Sequence, residues 1–260
     1  MRVIDSHSHI YLETFHQDLS DVIIRAQKAG IEKILLPNID DTTISQLLNV
    51  CNQWENYCFP MMGLHPTSVK EDYQIKLNSI KKELNQNTKR YIGIGEIGMD
   101  LYWDKSYVKE QRIVFKEQLD WAITYNLPVV IHSRDAFDEI FSILDTFEEN
   151  SITGVFHSFT GTEKELRKAL SYKTFFIGIN GISTFKNSTL LDLVTMIPKE
   201  RLLMETDSPY LAPTPMRGKR NEPSFITHTL IKLAEVYALS AEELGVITIK
   251  NTNRLFRKLK

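Results

Sequence analysis

The sequence predicts an α/β fold of the (β/α)8 TIM-barrel type, and three observations lead there. Eight short apolar runs rich in Val, Ile and Phe recur along the chain, separated by stretches of helical period. That alternation is expected of βα units on a parallel sheet. Most of the runs are near-continuously apolar, as strands covered on both faces must be. At 260 residues, 42% hydrophobic and 25% charged, the chain is long enough for one such barrel, and residues 1–260 are read as one domain.

The runs begin RVIDSH, KILLPN, CFPMMGLH, YIGIGE, LPVVIH, TGVFHS, TFFIGIN and RLLMETD. In the first, a strand from Arg2 to Ile10 would project His7 and His9 to one face, with Asp5 below them. The first helix follows from Leu19, Val22, Ile23 and Ala26, spaced i, i+3, i+4, i+7 and closed by Gly30. A second amphipathic stripe holds Phe115, Leu119, Ala122 and Ile123. After the eighth unit, a basic helical tail from about Ser240 to Lys260 is expected to cover the barrel. No repeat, linker or low-complexity segment interrupts the chain.

Composition bounds the function. There is no run of about 18 apolar residues and no basic segment leading into an apolar one, so no membrane span is expected and the cytoplasm is the expected compartment. Cys51 and Cys58 form no CxxC pair and read as reduced, packed thiols. The formal charge of −2 requires a local basic patch for any polyanionic substrate. No obligate protein partner is indicated.

The chemistry lies at the ends of the runs. His7 and His9 close run one, His65 run three, Glu96 run four, His132 run five, His157 run six and Asp207 run eight. In a barrel all these ends meet on one face, where the active sites of this fold are built. His16 and His228 fall in helical segments and read as surface or packing residues. A single strand-end histidine is ordinarily a hydrogen-bonded core residue. Five with two carboxylates would be costly to desolvate unless paired or metal-bound.

Four histidines and two carboxylates exceed what one catalytic zinc takes, so two ions are expected. Glu96 would bridge them, with His7, His9 and Asp207 on one and His132 and His157 on the other. Such a pair activates water and clamps the oxygens of a displacement at phosphorus. Mg, Mn, Zn and Ni all remain open as the metal.

The segments DSHSHI, GLHPTS, GEIGMD, VIHSRDA, FHSFTG, ETDSPYL and RGKRNEPSFI together resemble the TatD family of metal-dependent deoxyribonucleases, from residue 4 to about 255. The resemblance implies a TIM-barrel hydrolase acting on DNA ends, some members being 3′ to 5′ exonucleases. It maps the family's metal ligands onto His7, His9, Glu96, His132, His157 and Asp207. In one departure, Leu101 stands where the family often has a tyrosine, so a base-stacking role at that position is not carried over.

The loops after runs seven and eight of such barrels often bind phosphate. Here they carry Lys186, Arg217, Lys219 and Arg220, and Arg134 follows His132 by two positions. Arginine forks suit phosphate oxygens. Glu222 is expected to pair with an arginine and fix the loop. His65 is expected to hydrogen-bond substrate or water rather than hold metal. Asp207 is expected to act both as ligand and as general base. The leading reading is thus a deoxyribonuclease with DNA as its partner. The alternatives are an amidohydrolase cleaving C–N or ester bonds and a non-catalytic metal-binding barrel.

Overall fold

Eight parallel strands alternate with helices along the chain: β1 (Val3–Asp5), α1 (Leu19–Lys28), β2 (Ile31–Leu36), α2 (Ile44–Gln53), β3 (Cys58–Pro60), α3 (Tyr73–Asn87), β4 (Ile94–Asp100), α4 (Val108–Tyr125), β5 (Val129–Arg134), α5 (Phe137–Leu144), β6 (Gly154–Phe156), α6 (Glu163–Ser171), β7 (Phe175–Ile179), α7 (Leu190–Val194), β8 (Leu202–Met204), α8 (Ile226–Val236) and α9 (Ala241–Leu255). The computed structural model describes residues 1–102 and 104–259, so Lys260 at the end of the expected tail lies outside the described residues.

Regular pairing runs β1-β2-β3 and β4-β5-β6-β7-β8, and backbone hydrogen bonds close both seams. Ser6 N–H donates to Met204 O at 3.0 Å and Asp207 N–H to His7 O at 2.9 Å, while Ile92 N–H reaches Pro60 O at 3.1 Å and Gly95 N–H reaches Met62 O at 3.1 Å. The sheet is therefore a closed barrel, as the alternation predicted. Strand β1 is shorter than the expected Arg2–Ile10, because beyond Asp5 the backbone leaves the regular ladder. Only single bonds such as Ser8 N–H to Leu35 O (3.1 Å) and His9 N–H to Ser208 O (2.7 Å) hold it.

The barrel interior is apolar at its amino-terminal end. Ile4, Leu35, Met61, Ile92, Val130, Val155, Phe176 and Leu203, one from each strand or its edge, pack with Leu255, Phe256 and Leu259. The tail thus plugs the bottom. Helix α9 is started by Ser240, whose side chain accepts from Glu243 N–H while Glu243 reaches back to Ser240 N–H. A second apolar layer joins the outer strand faces to the helices: Val22, Ile23 and Ala26 of α1 are buried in it. Of the α4 stripe, Phe115, Leu119 and Ala122 are buried, but Ile123 is 42% exposed and lies outside the core.

With apolar side chains filling the bottom, polar ones crowd the carboxyl end. Non-glycine residues with positive φ fall into two groups. Asn56, Asn126, Asn150 and Ala238 close turns at helix ends, whereas Asp135, Ser158, Asp207 and Leu211 stand on the loops after β5, β6 and β8. Backbone held in this left-handed region is costly and tends to mark sites where side-chain direction matters.

Candidate metal centre

Glu96 is the hub of the carboxyl-end cluster. It sits mid-strand in β4, its N–H donating to Asn38 O at 3.1 Å. Gly98, two residues on, makes the approach of β5 possible: at φ 135 a Cβ there would lie 2.1 Å from His132 O. The two carboxylate oxygens of Glu96 face different partners. Oε2 lies 3.1 Å from His7 Nε2 and 3.4 Å from His9 Nε2. Oε1 lies 2.9 Å from His132 Nδ1, 3.2 Å from His157 Nε2 and 3.2 Å from His65 Nε2. On the Oε2 side, Asp207 Oδ1 is 3.7 Å from His7 Nε2 and 3.6 Å from His9 Nε2, and these two nitrogens are 3.1 Å apart.

The ring nitrogens that point away from the hub fix which nitrogen points at it. His9 Nδ1 lies 3.0 Å from Tyr11 Oη, whose hydroxyl proton goes to Pro37 O at 2.6 Å. His9 therefore donates through Nδ1, and Nε2 is the nitrogen that faces the hub. His157 likewise donates through Nδ1 to Glu205 Oε1 at 3.2 Å, whereas His132 donates through Nε2 to Asp100 Oδ2 at 3.0 Å and turns Nδ1 toward Glu96. Carboxylates and carbonyls behind a histidine are the usual supports of a metal ligand. His65 is built the opposite way. Its Nδ1 accepts from Thr67 N–H at 3.2 Å, so its proton lies on Nε2 and is offered to Glu96.

Sequence reasoning passed over Asp100 and left Glu205 without a role. Both carried a signal: Asp100 shares strand parity with Glu96 in β4, and Glu205 follows β8 directly. Glu205 is seated by Ser158 N–H at 2.5 Å and by Gly178, where a Cβ would come within 2.5 Å of its Oε2. Glu205 and Asp207 do not share a strand face. Asp207 has φ 56, which swings it to the His7/His9 side while Glu205 stays behind His157.

The donor set fits divalent cations. Ligands about 2.0–2.2 Å from an ion stand about 3 to 3.5 Å from one another, which is the spacing found here. Among the described residues, three groups of donor atoms converge: His7, His9 and Asp207; His7, His157 and Glu205; and His65, Glu96 and His132. Within this cluster, the buried atoms His7 Nδ1 and Glu205 Oε2 have no hydrogen-bond partner among the described residues. The electrostatics agree. Burial disfavours the Glu96 charge, but His65, His157 and His7 outweigh it and hold the carboxyl well below its usual range. Burial likewise opposes a charged His157, yet Glu205 and Glu96 hold it well above its usual value. For His9, Asp207 and Glu96 overcome burial and raise it to about 9. His9 and His157 thus hold positive charge, whereas burial keeps His7 and His65 below their usual values.

The chain as a whole is matched by known proteins. The model of the TatD related DNase family matches residues 4–257. The chain belongs to the TatD family. It is accordingly a metal-dependent hydrolase. An uncharacterized metal-dependent hydrolase of Bacillus subtilis strain 168, YabD, is 36% identical over 256 residues, covering 98% of this chain and 99% of its own. A protein of Erwinia tasmaniensis named 3′-5′ ssDNA/RNA exonuclease TatD is 34% identical over 248 residues, covering 93% of this chain and 95% of its own. Among solved structures, the TatD homologue YJJV of Escherichia coli K12 superposes with a TM-score of 0.91 at 28% identity, covering 98% of both chains.

The residues expected to meet phosphate take different positions around this TatD-family site. Lys186 is exposed on the loop after β7. Arg217 is exposed and lies flat on the Phe185 ring, 3.7 Å from its centroid. Arg134 stacks on Tyr102 at 3.8 Å. Lys219 is exposed. Arg220 departs from expectation. Its fork is filled by Asp18, at 2.9 and 2.6 Å, and it also donates to Thr14 O. It pins the loop to α1 instead of offering a fork to phosphate. Glu222 is paired as expected, and its partner is Arg25 of α1 at 2.8 and 2.6 Å. Among the described residues, no helix is long and apolar enough to cross a membrane.

Proposed function

We propose that this chain is a phosphodiesterase that shortens single-stranded DNA from its 3′ end, using two divalent ions per chain. The observation that carries the reading is the division of Glu96, one oxygen toward the His7/His9 nitrogens and the other toward His132 and His157. In this reading His7, His9 and Asp207 would hold one ion and His132 and His157 the other, with Glu96 available to both. A bound pair would supply an acidified water and a counter-charge for a phosphoryl oxygen. The rest falls to side chains. Asp207, kept ionised because His9, His157 and His7 outweigh its burial, accepts the proton of the attacking water. His65 donates through Nε2. Asp100 and Glu205 hold His132 and His157 in register, while Arg134, Lys186 and Arg217 meet the phosphate backbone. The name of the Erwinia relative supports the polarity and the single strand.

The test is digestion of 5′-end-labelled single-stranded DNA with Mg, Mn, Zn or Ni in turn. A ladder receding from the 3′ end, abolished by chelation, is expected. Release of labelled mononucleotide from the outset would overturn the polarity, and no cleavage with any metal would overturn the phosphodiesterase reading.

A further inference from the structure

Several cations of this chain are met by carboxylates: Arg25 by Glu222, Arg220 by Asp18, Lys81 by Glu117 and Arg167 by Glu163. A group at the amino-terminal end of the barrel is different. Arg201 stands just before β8, Lys173 shortly before β7, and Arg254 and Arg257 at the end of α9. All four line one cavity of about 310 Å³. Carbonyls, not carboxylates, hold the arginines there: Arg201 donates to Phe175 O and, at 2.7 Å, to Tyr172 O, and Arg254 donates to Glu200 O while lying 4.8 Å from the Phe176 ring centroid. A carbonyl positions a cation without neutralising it. Among the described residues none of the three arginines has an ion-pair partner, and Lys173 has only the exposed Glu149 at 3.2 Å.

We infer that this cavity, at the opposite end of the barrel from the metal centre, is a binding site for a small molecule carrying a phosphate group. Guanidinium forks match phosphate oxygens two at a time, and Arg254 spends only Nη2 on Glu200 O, which leaves Nε and Nη1. Arg257 brings a second fork. The dipole of α9 favours a cation at its carboxyl end, which accounts for Arg254 but not for Arg201 and Lys173, contributed by other elements. Burial and the Arg254 charge both push Arg201 below its usual value, a repulsion that a bound anion would relieve. The volume lies at the lower end of the range for small-molecule pockets, so the occupant is inorganic phosphate or a phosphate monoester and not a polymer strand. Active sites of this fold are built at the other end. The occupant is therefore held and not turned over, and the site is independent of what the metal centre cleaves.

The test is phenylglyoxal modification of the full chain, with the rate at each arginine read by peptide mass spectrometry. The additions are inorganic phosphate, 2′-deoxyadenosine 5′-monophosphate, a single-stranded oligonucleotide, and sodium chloride at matched ionic strength. Exposed Arg167 of α6 is the internal reference. At about ten times its Kd, phosphate should slow Arg254 and Arg257 about tenfold by mass action, with Arg167 unchanged and chloride without that effect. Equal Kd values for phosphate and nucleotide would make the phosphate group the whole determinant, and a lower Kd for the nucleotide would make nucleoside phosphates the source; both sustain the site. In Arg257→Gln, a change at an exposed side chain, the Kd read at Arg254 should rise about 10- to 100-fold. Rates at Arg254 and Arg257 left unchanged by phosphate and nucleotide would overturn the assignment. So would protection equalled by chloride, protection by the oligonucleotide alone, or an unchanged Kd in Arg257→Gln.

Discussion

Asp207, proposed as both ligand and general base, is placed for two tasks. Its backbone, at φ 56, carries it out of line with β8, and its Oδ1 then faces both the His7 and His9 nitrogens at the edge of solvent, with 15% of the side chain exposed. Asp207→Asn keeps the size and one ligand oxygen but loses the proton acceptor. Turnover should fall by about 10² to 10⁴, with metal content retained by the other donors. Measuring both on one preparation checks this, since near-normal turnover would contradict the base assignment. The cysteines offer a second test at this scale. Burial pushes the Cys51 thiol up to about 12 and Cys58 well above its usual value, so neither ionises near neutrality, and thiolate is the reactive form. Native protein should resist iodoacetamide at pH 8 and react with two equivalents once unfolded. His7, His9, Glu96, His132, His157 and Asp207 were legible because ionisable residues at the ends of apolar runs have only one place to go in a barrel. The tautomer of His65 was not, because it depends on Thr67 N–H, a local turn that periodicity does not reveal.

The loop between β8 and α8 is the element where sequence said least. RGKRNEPS reads as a basic loop, yet which arginine is already bonded is decided by partners about two hundred positions away: Asp18 for Arg220 and Arg25 for Glu222. Both pairs tie the loop to α1, and Asn221 adds bonds to Thr206 O at 2.8 Å and Tyr210 O at 2.6 Å. Glu222 is the better buried partner, 7% exposed against 44% for Arg25. Glu222→Ala leaves Arg25 only its 3.5 Å contact with Asp18 and should cost about 1.5–3 kcal/mol, the range for a hydrogen bond to a charged group. A lower melting temperature with weakened substrate binding and unchanged metal content is expected. An unshifted melting curve would show that the loop is held by Asn221 and Arg220 alone. Strand lengths were also beyond sequence. β1 and β8 are three residues each, because past Asp5 and Met204 the backbone turns its side chains toward the cluster and gives up regular pairing.

At the scale of the whole molecule, the two ends of one barrel divide the work. Apolar side chains and the α9 plug fill the bottom, which lets the top concentrate imidazoles and carboxylates that would be too costly to bury singly. The net charge of −2 gives no overall attraction for a polyanion, so the proposed contact with DNA depends on the few cations around the mouth. The barrel was readable from the alternation of apolar runs and helical stripes, since that periodicity is set by the sheet itself. The central claim is that two ions, joined through Glu96, make the site active. It is tested most directly by titrating metal-free protein with manganese while following cleavage of end-labelled single-stranded DNA. Activity should be absent without metal and saturate at about two ions per chain. Full activity in the metal-free protein, or saturation at one ion, would contradict it.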